Sequence, residues 1–410
     1  MNPVVAYIFI RYPVLSQQFL QREIAALTAQ GITVQIFSLF TVAPAERSER
    51  VNYFRWWEAL ALLWALPREL ARDPALVLDG WKILKRHCPT NRENALSNVW
   101  AAIFAICRAR EFRRSGIQIV HGAWATAPAT AAAILHRLCG IPFSFGADAY
   151  DIYRHGGDAF VRPKLREAAF VHTNTRMTAT YLQKLSPESA GRIMLARRGL
   201  EKFPAVVEEK NLPQPLRILS VARLVEKKGH CHQLAACAEL KKMGIDFELR
   251  VVGDGPLRTR LSSEAARLRL NDRVEFCGAL SPEKTDQAYD WASVFWHTGI
   301  IDADGDRDGL PNVIPEAFCH GLAVISHRAP AAMEAVVDGE TGLLVEVGDS
   351  LALATATERV MKDSALRHRL GANGRRWVEE NFRAESNTKI LAAAFRDATK
   401  GASPSEFPNV

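Results

Sequence analysis

The chain has 410 residues, enough for two domains with full cores, and its 48% hydrophobic content is that of an ordinary globular protein. A formal net charge of +7 suits an anionic partner, whether a phosphate ligand, a membrane surface or nucleic acid, and equally a basic soluble protein without one. The seven cysteines are odd in number, scattered and without a Cys-x-x-Cys pair, which excludes a disulfide framework and points to free thiols in a reducing cytoplasm.

Residues 4–10 read as a buried first strand. They lack the basic start and small-residue cleavage site of a secretory signal, and no apolar run approaches the roughly 20 residues that span a bilayer. A helix follows at 16–30 and ends at Gly31, then a strand at 33–39. Further on come a strand at 118–121, an alanine-rich helix at 127–138 that stops at Gly140, and strands at 143–145 and 170–173. The proline-flanked stretch 211–215 is a natural linker. After it, strands at 217–221, 247–252, 274–277, 294–297, 323–326 and 343–345 alternate with helices, including 227–243, 258–270, 351–373, 376–382 and 385–399. The tail, 401–410, is polar and reads as loose. Alternation of this kind predicts an α/β fold class with two parallel sheets, each covered by helices. The expected domains are 1–212 and 213–384, the first completed by the C-terminal helix 385–400. Two such halves make a cleft, with ligands at the carboxyl ends of the strands.

Residues 51–114 break the alternation and read as a helical insertion. Trp56, Trp57, Leu60, Leu63 and Trp64 come first, and between Trp81 and Arg114 there are eight Lys or Arg against two Glu. Helices mixing Trp and Leu with basic residues can lie at a membrane interface; the same spacing also suits a helix packed on its own domain. His230, Cys231, His232 and Cys237 lack a matching second pair of ligands, so a metal is not expected there. The basic residues fall in no nucleic-acid recognition motif.

Three patches in the second half carry chemistry. Arg223, Lys227, Lys228 and Gly229 follow a strand and set cations where a helix begins. Gly253-Asp254-Gly255-Pro256 is a turn after the next strand. In the stretch 304–321, Asp308 and Glu316 flank a Gly309-Leu310-Pro311-Asn312-Val313 turn into a helix start, where backbone N–H groups attract phosphate. Carboxylates beside such a turn can accept hydrogen bonds from sugar hydroxyls, a combination that suits a nucleotide sugar. Asp304, Asp306 and Asp308 imitate the first half of an EF-hand, but the twelfth position is Pro315, so calcium is not expected.

In this order and spacing the patches resemble the family 4 retaining glycosyltransferases of GT-B fold, of the bacterial exopolysaccharide or colanic-acid type. The likeness extends to 13–24, to Val120-His121-Gly122-Ala123-Trp124, to 143–152 and to Gly339-Glu340-Thr341-Gly342. It implies two Rossmann-like domains facing across a cleft, and transfer of a sugar from a UDP- or GDP-linked donor, without a metal, to a glycan or lipid-linked acceptor. Arg223 and Lys228 would hold the diphosphate. Asp308 would contact donor-sugar hydroxyls and Glu316 the ribose. Gly253, Gly309, Leu310, Pro311, Asn312 and Val313 would line the donor site, and Phe276, Gly278 and Leu280 the base. Ser16, Gln17, His121, Tyr150 and Asp151 would belong to the acceptor-side loops. The implied location is cytoplasmic, peripheral on the inner membrane.

Two positions depart from the family. Asp308 stands where it usually has Glu, and Asp148 where it usually has a histidine near the donor. An ionised aspartate accepts hydrogen bonds only and would repel a diphosphate. This opens a second reading, a catalytically weak partner that binds nucleotide sugar without turnover. A GT-B sugar-nucleotide epimerase fits the Asp308–Glu316 stretch poorly.

Overall fold

A computed structural model of the chain describes residues 2–14, 18–74, 92–205 and 212–400. The chain divides into two units, Met1–Gly199 with Ala384–Val410, and Leu200–Arg383. The division precedes the proline-flanked stretch to which the sequence points. Leu200 is already tied to the second unit: its N–H donates to the Phe382 carbonyl at 2.7 Å, and it pairs with Arg383. The helix Ala384–Thr399 belongs to the first unit, where it buries Leu391, Ala392, Ala394 and Phe395. The tail 401–410 lies outside the described residues.

The first unit is built on a parallel sheet of β1 (Val4–Phe9), β2 (Thr33–Ser38), β3 (Val51–Tyr53), β4 (Ile119–Gly122), β5 (Phe143–Gly146), β6 (Phe170–Thr173) and β7 (Ile193–Leu195). Their order is β3-β2-β1-β4-β5-β6-β7. A strand covered on both faces must be apolar at successive positions. In β1, Val5, Tyr7 and Phe9 pack with Phe395, while Ala6 and Ile8 pack on the other side with Phe104 and Leu135. β3 and β7 have no counterpart in the sequence reading. Both are three residues long, and β3 runs directly into the Trp-rich segment, so the insertion begins with an edge strand.

The rest of the insertion includes a short 3-10 segment, Trp56–Ala61, and the helices Leu62–Arg72 and Arg92–Phe112. Its inner side is core: Phe54, Phe104 and Phe112 are buried with Phe37. The buried Glu69 carboxylate receives Arg113 at 2.5 Å and Arg68 at 2.9 Å. Burial alone would raise the Glu69 pKa, but the two guanidinium groups win and lower it. On the outer side, Trp56, Leu63 and Trp64 are 73%, 72% and 65% exposed, with Trp57 and Leu60 beside them. The stretch 81–86 lies outside the described residues. Among the described residues no helix is long and apolar enough to cross a membrane.

The second unit has β8 (Leu216–Val221), β9 (Phe247–Val252), β10 (Val274–Gly278), β11 (Val294–His297), β12 (Ala323–His327) and β13 (Gly342–Val345), all parallel, in the order β10-β9-β8-β11-β12-β13. The helix pattern after β13 differs from the sequence reading. One helix ends at Lys362, and a second runs from Ser364 to Asn381 without a break near residue 374. Asp363 makes the division, because its carboxylate accepts the Leu366 N–H at 2.8 Å and caps the new helix. Gly374 is a packing position: a Cβ there would lie 2.3 Å from the Phe318 ring.

In each sheet the strand order reverses beside the first strand, between β1 and β4 and between β8 and β11. Segments leaving the carboxyl ends on either side of such a point diverge and leave room for a ligand. In the first unit Asp151 staples the segments after β4 and β5 together. Its Oδ2 accepts the Ala125 N–H at 2.8 Å, and its Oδ1 accepts the Asp148 N–H at 3.1 Å. Burial, and then the charge of Asp148, push the Asp151 carboxyl up to about 7, against the backbone N–H groups of Ala125, Asp151 and Asp148, which favour the charged form. An unfolded aspartate titrates near ~3.9. The folded chain therefore holds a proton that the unfolded chain has lost, and the resulting stability is complete below about pH 4 and fades as pH rises toward 7. We expect chemical denaturation to show the natural chain losing stability relative to Asp151→Asn between about pH 5 and pH 7. Parallel pH profiles for the two proteins would contradict this assignment.

Candidate functional site

The two segments at the switch point of the second unit are 222–229, after β8, and 298–309, after β11. They are stitched together by the backbone. Ile300 N–H donates to the Lys227 carbonyl at 2.8 Å, and the Thr298 hydroxyl donates to the Lys228 carbonyl at 2.9 Å. Gln233, buried, donates to both Ser220 and Thr298 at 2.8 Å. Gly229 makes the approach possible. It sits at φ +63°, and a Cβ there would lie 2.1 Å from the Thr298 carbonyl oxygen.

This stitching delivers two lysines to the acidic turn. Lys228 Nζ lies 2.6 Å from Asp308 Oδ2, and Lys227 Nζ lies 3.0 Å from Asp306 Oδ1 and 3.6 Å from Asp308 Oδ1. Burial would raise the Asp308 pKa, but Lys228, His297 and Lys227 together hold it far below the usual carboxylate range. It is a permanent anion. Lys228 and Asp308, which the resemblance assigns separate tasks, are thus partners of each other.

Arg223 differs from both lysines: it is exposed, and its side chain has no partner among the described residues. Its backbone is fixed. The His230 ring meets the Arg223 carbonyl at 3.1 Å, and the neighbouring Leu224 N–H donates to Asp254 at 3.0 Å. Gly253 has a structural reason to be glycine. At φ +139° a Cβ would lie 2.0 Å from the Ala222 carbonyl oxygen, while the Gly253 N–H donates to Gly278 at 2.8 Å. It joins the carboxyl ends of β8, β9 and β10.

Sequence reasoning missed His297 and Tyr289, and it named Lys227 without giving it a task. His297, at the end of β11, is buried with Nδ1 2.9 Å from the Ser326 hydroxyl. Among the described residues its Nε2 has no hydrogen-bond partner, and it lies 3.9 Å from Asp308 Oδ2. Burial lowers the His297 pKa, outweighing the pull of Asp308 toward the charged form. His297, Gly299, Arg307, Asp308, Gly309 and Pro311 line a cavity of about 250 Å³. Glu316 stands on the short helix Val313–Cys319, where Tyr289 donates its hydroxyl to Oε2 at 3.0 Å. Burial, then the charge of Glu316, keep that tyrosine protonated. A buried histidine or tyrosine without a motif around it resembles any core residue, so the sequence holds no signal for either.

The remaining donor-side positions are spread along the same edge. Leu310 and Pro311 are buried, Asn312 and Val313 half-buried. Phe276, Gly278 and Leu280 lie half-buried at and just after the end of β10, the edge strand of the sheet.

In the first unit the carboxylate of Asp148 is not free, contrary to the expectation of a bare repelling charge. It pairs with Arg198, a residue with no part in the sequence reading. Tyr150 is exposed and its hydroxyl accepts from Arg154. His121 is enclosed in the core, with Nδ1 2.8 Å from Ser144 and its ring against Tyr7, His172 and Phe395. It is a structural residue and offers nothing to an acceptor. Ser16 and Gln17 lie outside the described residues.

Comparison with known proteins agrees with this geometry. Residues 204–377, the stretch that contains the paired lysines and aspartates, match the family described as glycosyl transferases group 1. The amylovoran biosynthesis glycosyltransferase AmsK of Erwinia amylovora is 36% identical over 178 residues, 43% of this chain and 44% of that protein. The putative colanic acid biosynthesis glycosyltransferase WcaL of Escherichia coli (strain K12) is 27% identical over 387 residues, covering 85% of this chain and 88% of that one. Anabaena HepE, solved in complex with UDP-glucose, superposes with a TM-score of 0.68 at 16% identity, over 96% of this chain and 99% of HepE. That likeness concerns the fold, two parallel-sheet α/β domains of the GT-B type. Residues 204–377 thus carry a domain that matches the group 1 glycosyl transferases, and the relatives that resemble the chain over most of its length are named as glycosyltransferases.

Proposed function

We propose that the chain is a retaining glycosyltransferase that moves a sugar from a UDP- or GDP-linked donor to a glycan or lipid-linked acceptor in exopolysaccharide or cell-surface polysaccharide synthesis. The observation that carries this reading is the Lys228–Asp308 pair, with Lys228 on the same loop as Arg223, whose side chain has no partner among the described residues. A diphosphate takes Arg223 and Lys228 as its cations, while the sugar hydroxyls donate to Asp308 and those of the ribose to Glu316. Opposite unit charges about 4 Å apart are worth roughly 4 kcal/mol at an effective dielectric near 20, so each cation matters. The acceptor oxygen bonds to the anomeric carbon as its bond to the phosphate oxygen breaks. The acceptor's proton passes to that phosphate oxygen on the same face, so no protein nucleophile is needed. Arg223 and Lys228 stabilise the charge that develops on the departing nucleotide. The relatives named for amylovoran and colanic acid synthesis support the acceptor class, and HepE with UDP-glucose supports the donor class. The alternative of a binding partner without turnover loses its physical ground, because Arg198 neutralises Asp148.

A panel of UDP- and GDP-sugars, followed by thermal unfolding, tests the donor site. A ligand at about a hundred times its Kd stabilises the native state by roughly 2.7 kcal/mol. We expect one donor class to raise Tm, and Arg223→Gln or Lys228→Gln to remove the rise while the variants stay folded. A rise that persists in both variants contradicts the assignment, and NMR of the product showing an inverted anomeric centre contradicts retention.

The exposed Trp56, Trp57, Leu60, Leu63 and Trp64 are proposed to rest on an anionic bilayer at the cytoplasmic face of the inner membrane. Tryptophan rings favour the headgroup level. Arg55, whose guanidinium lies over the Trp57 ring, and the exposed Arg72 flank the patch with positive charge. Co-sedimentation with phosphatidylglycerol-containing vesicles should be lost in Trp56→Ser/Trp57→Ser/Trp64→Ser, and sedimentation unchanged by the triple substitution rules the surface out.

A further inference from the structure

The segments that follow β1, β4, β5 and β7 bring four distant residues of the first unit together: Phe19, Trp124, Asp148 and Arg198. The Arg198 guanidinium carbon lies 3.8 Å from the centre of the Phe19 ring and 5.6 Å from that of Trp124, and the two rings meet edge to face. Its Nη2 donates to Asp148 Oδ2. Arg198 and Asp148 are only 13% and 12% exposed at their side chains. Nε and Nη1 of Arg198 have no partner among the described residues.

An ion pair this withdrawn from water adds little net stability, because desolvation cancels most of the attraction. The arrangement fixes a planar fork on two rings and one carboxylate and leaves donors over. That is a preorganised receptor for an oxyanion. Arg198 lines a cavity of about 380 Å³ together with Arg22, Arg197 and Glu23. Glu23 accepts the Tyr7 hydroxyl at 2.5 Å. With three arginines against one glutamate, the lining favours an anion.

We infer that Arg198 is the phosphate-binding group of the first unit and that Asp148 is the positioning residue that holds it. The inference rests on the glycosyltransferase reading above. Phosphate is common to a nucleotide-sugar donor and to a lipid-phosphate-linked acceptor, and either can supply it. Asp148 then serves the substrate through Arg198, and an arginine provides the hydrogen-bond donors that a histidine at position 148 would have provided.

Two measurements test this. In the first, transfer and acceptor-free donor hydrolysis are assayed side by side. Arg198→Gln should lower kcat/KM for transfer by about ten- to a hundredfold, the range expected for a lost hydrogen bond to a charged group. Arg198→Lys should recover part of it, and Asp148→Asn should raise KM with a smaller effect on kcat. Hydrolysis that falls in step assigns the phosphate to the donor. Hydrolysis unchanged with a raised acceptor KM assigns it to the acceptor. Folded Arg198→Gln that retains both rates within roughly twofold overturns the inference. A natural chain that neither transfers nor hydrolyses any donor instead overturns the glycosyltransferase reading beneath it.

The second measurement needs no variant. Phenylglyoxal labelling of Arg198 in the natural chain, read by peptide mass spectrometry, should be blocked by inorganic pyrophosphate. Labelling that pyrophosphate does not slow overturns the inference.

Discussion

A carboxylate withdrawn from water beside two ammonium groups organises the second unit. Asp308 cannot be left alone there: an isolated buried charge costs several kcal/mol, and only close, hydrogen-bonded partners offset it. Lys228 at 2.6 Å and Lys227 at 3.6 Å are those partners, and Lys227 is shared with Asp306. The requirement explains much of the surrounding backbone. Gly229, Thr298 and Gln233 press the lysine turn against the acidic turn, and Gly253 holds the next loop beside them. The pair also gives the site its chemistry. Two charges that satisfy each other can each be offered to a ligand carrying both a phosphate and hydroxyl groups.

The first unit uses the same device with different residues. Asp148 is matched by Arg198, and Asp151 beneath it takes two backbone N–H groups and titrates near neutrality. One aspartate therefore positions a cation while the other positions a loop. Neither stands without partners, although both read as lone acids in a list of acidic residues.

The fold was legible because parallel strands buried on two faces leave long apolar runs, as in β1, β8 and β12, and because helices stop at Gly31 and Gly140. The donor-side patches were legible because their glycines and charges fall at fixed offsets from strand ends. Short strands escaped: β3 and β7 have three residues each, too few for any period to show. The break at Asp363 escaped because a cap and a mid-helix aspartate look alike until the carboxylate is seen to accept the Leu366 N–H. Arg198, His297 and Tyr289 escaped for a deeper reason. Their meaning lies in partners 50, 11 and 27 positions away, Asp148, Asp308 and Glu316, and only the folded chain makes those pairs.

Calorimetric titration of Asp308→Asn with a nucleoside diphosphate and with the matching nucleotide sugar tests the central claim most directly. If Lys228 and Asp308 divide a donor between them, removing the carboxylate frees the lysine. The variant should then bind the nucleoside diphosphate at least as tightly as the natural chain, while losing about tenfold or more in the additional affinity conferred by the sugar. Equal weakening toward both ligands, or no change toward either, would contradict the account.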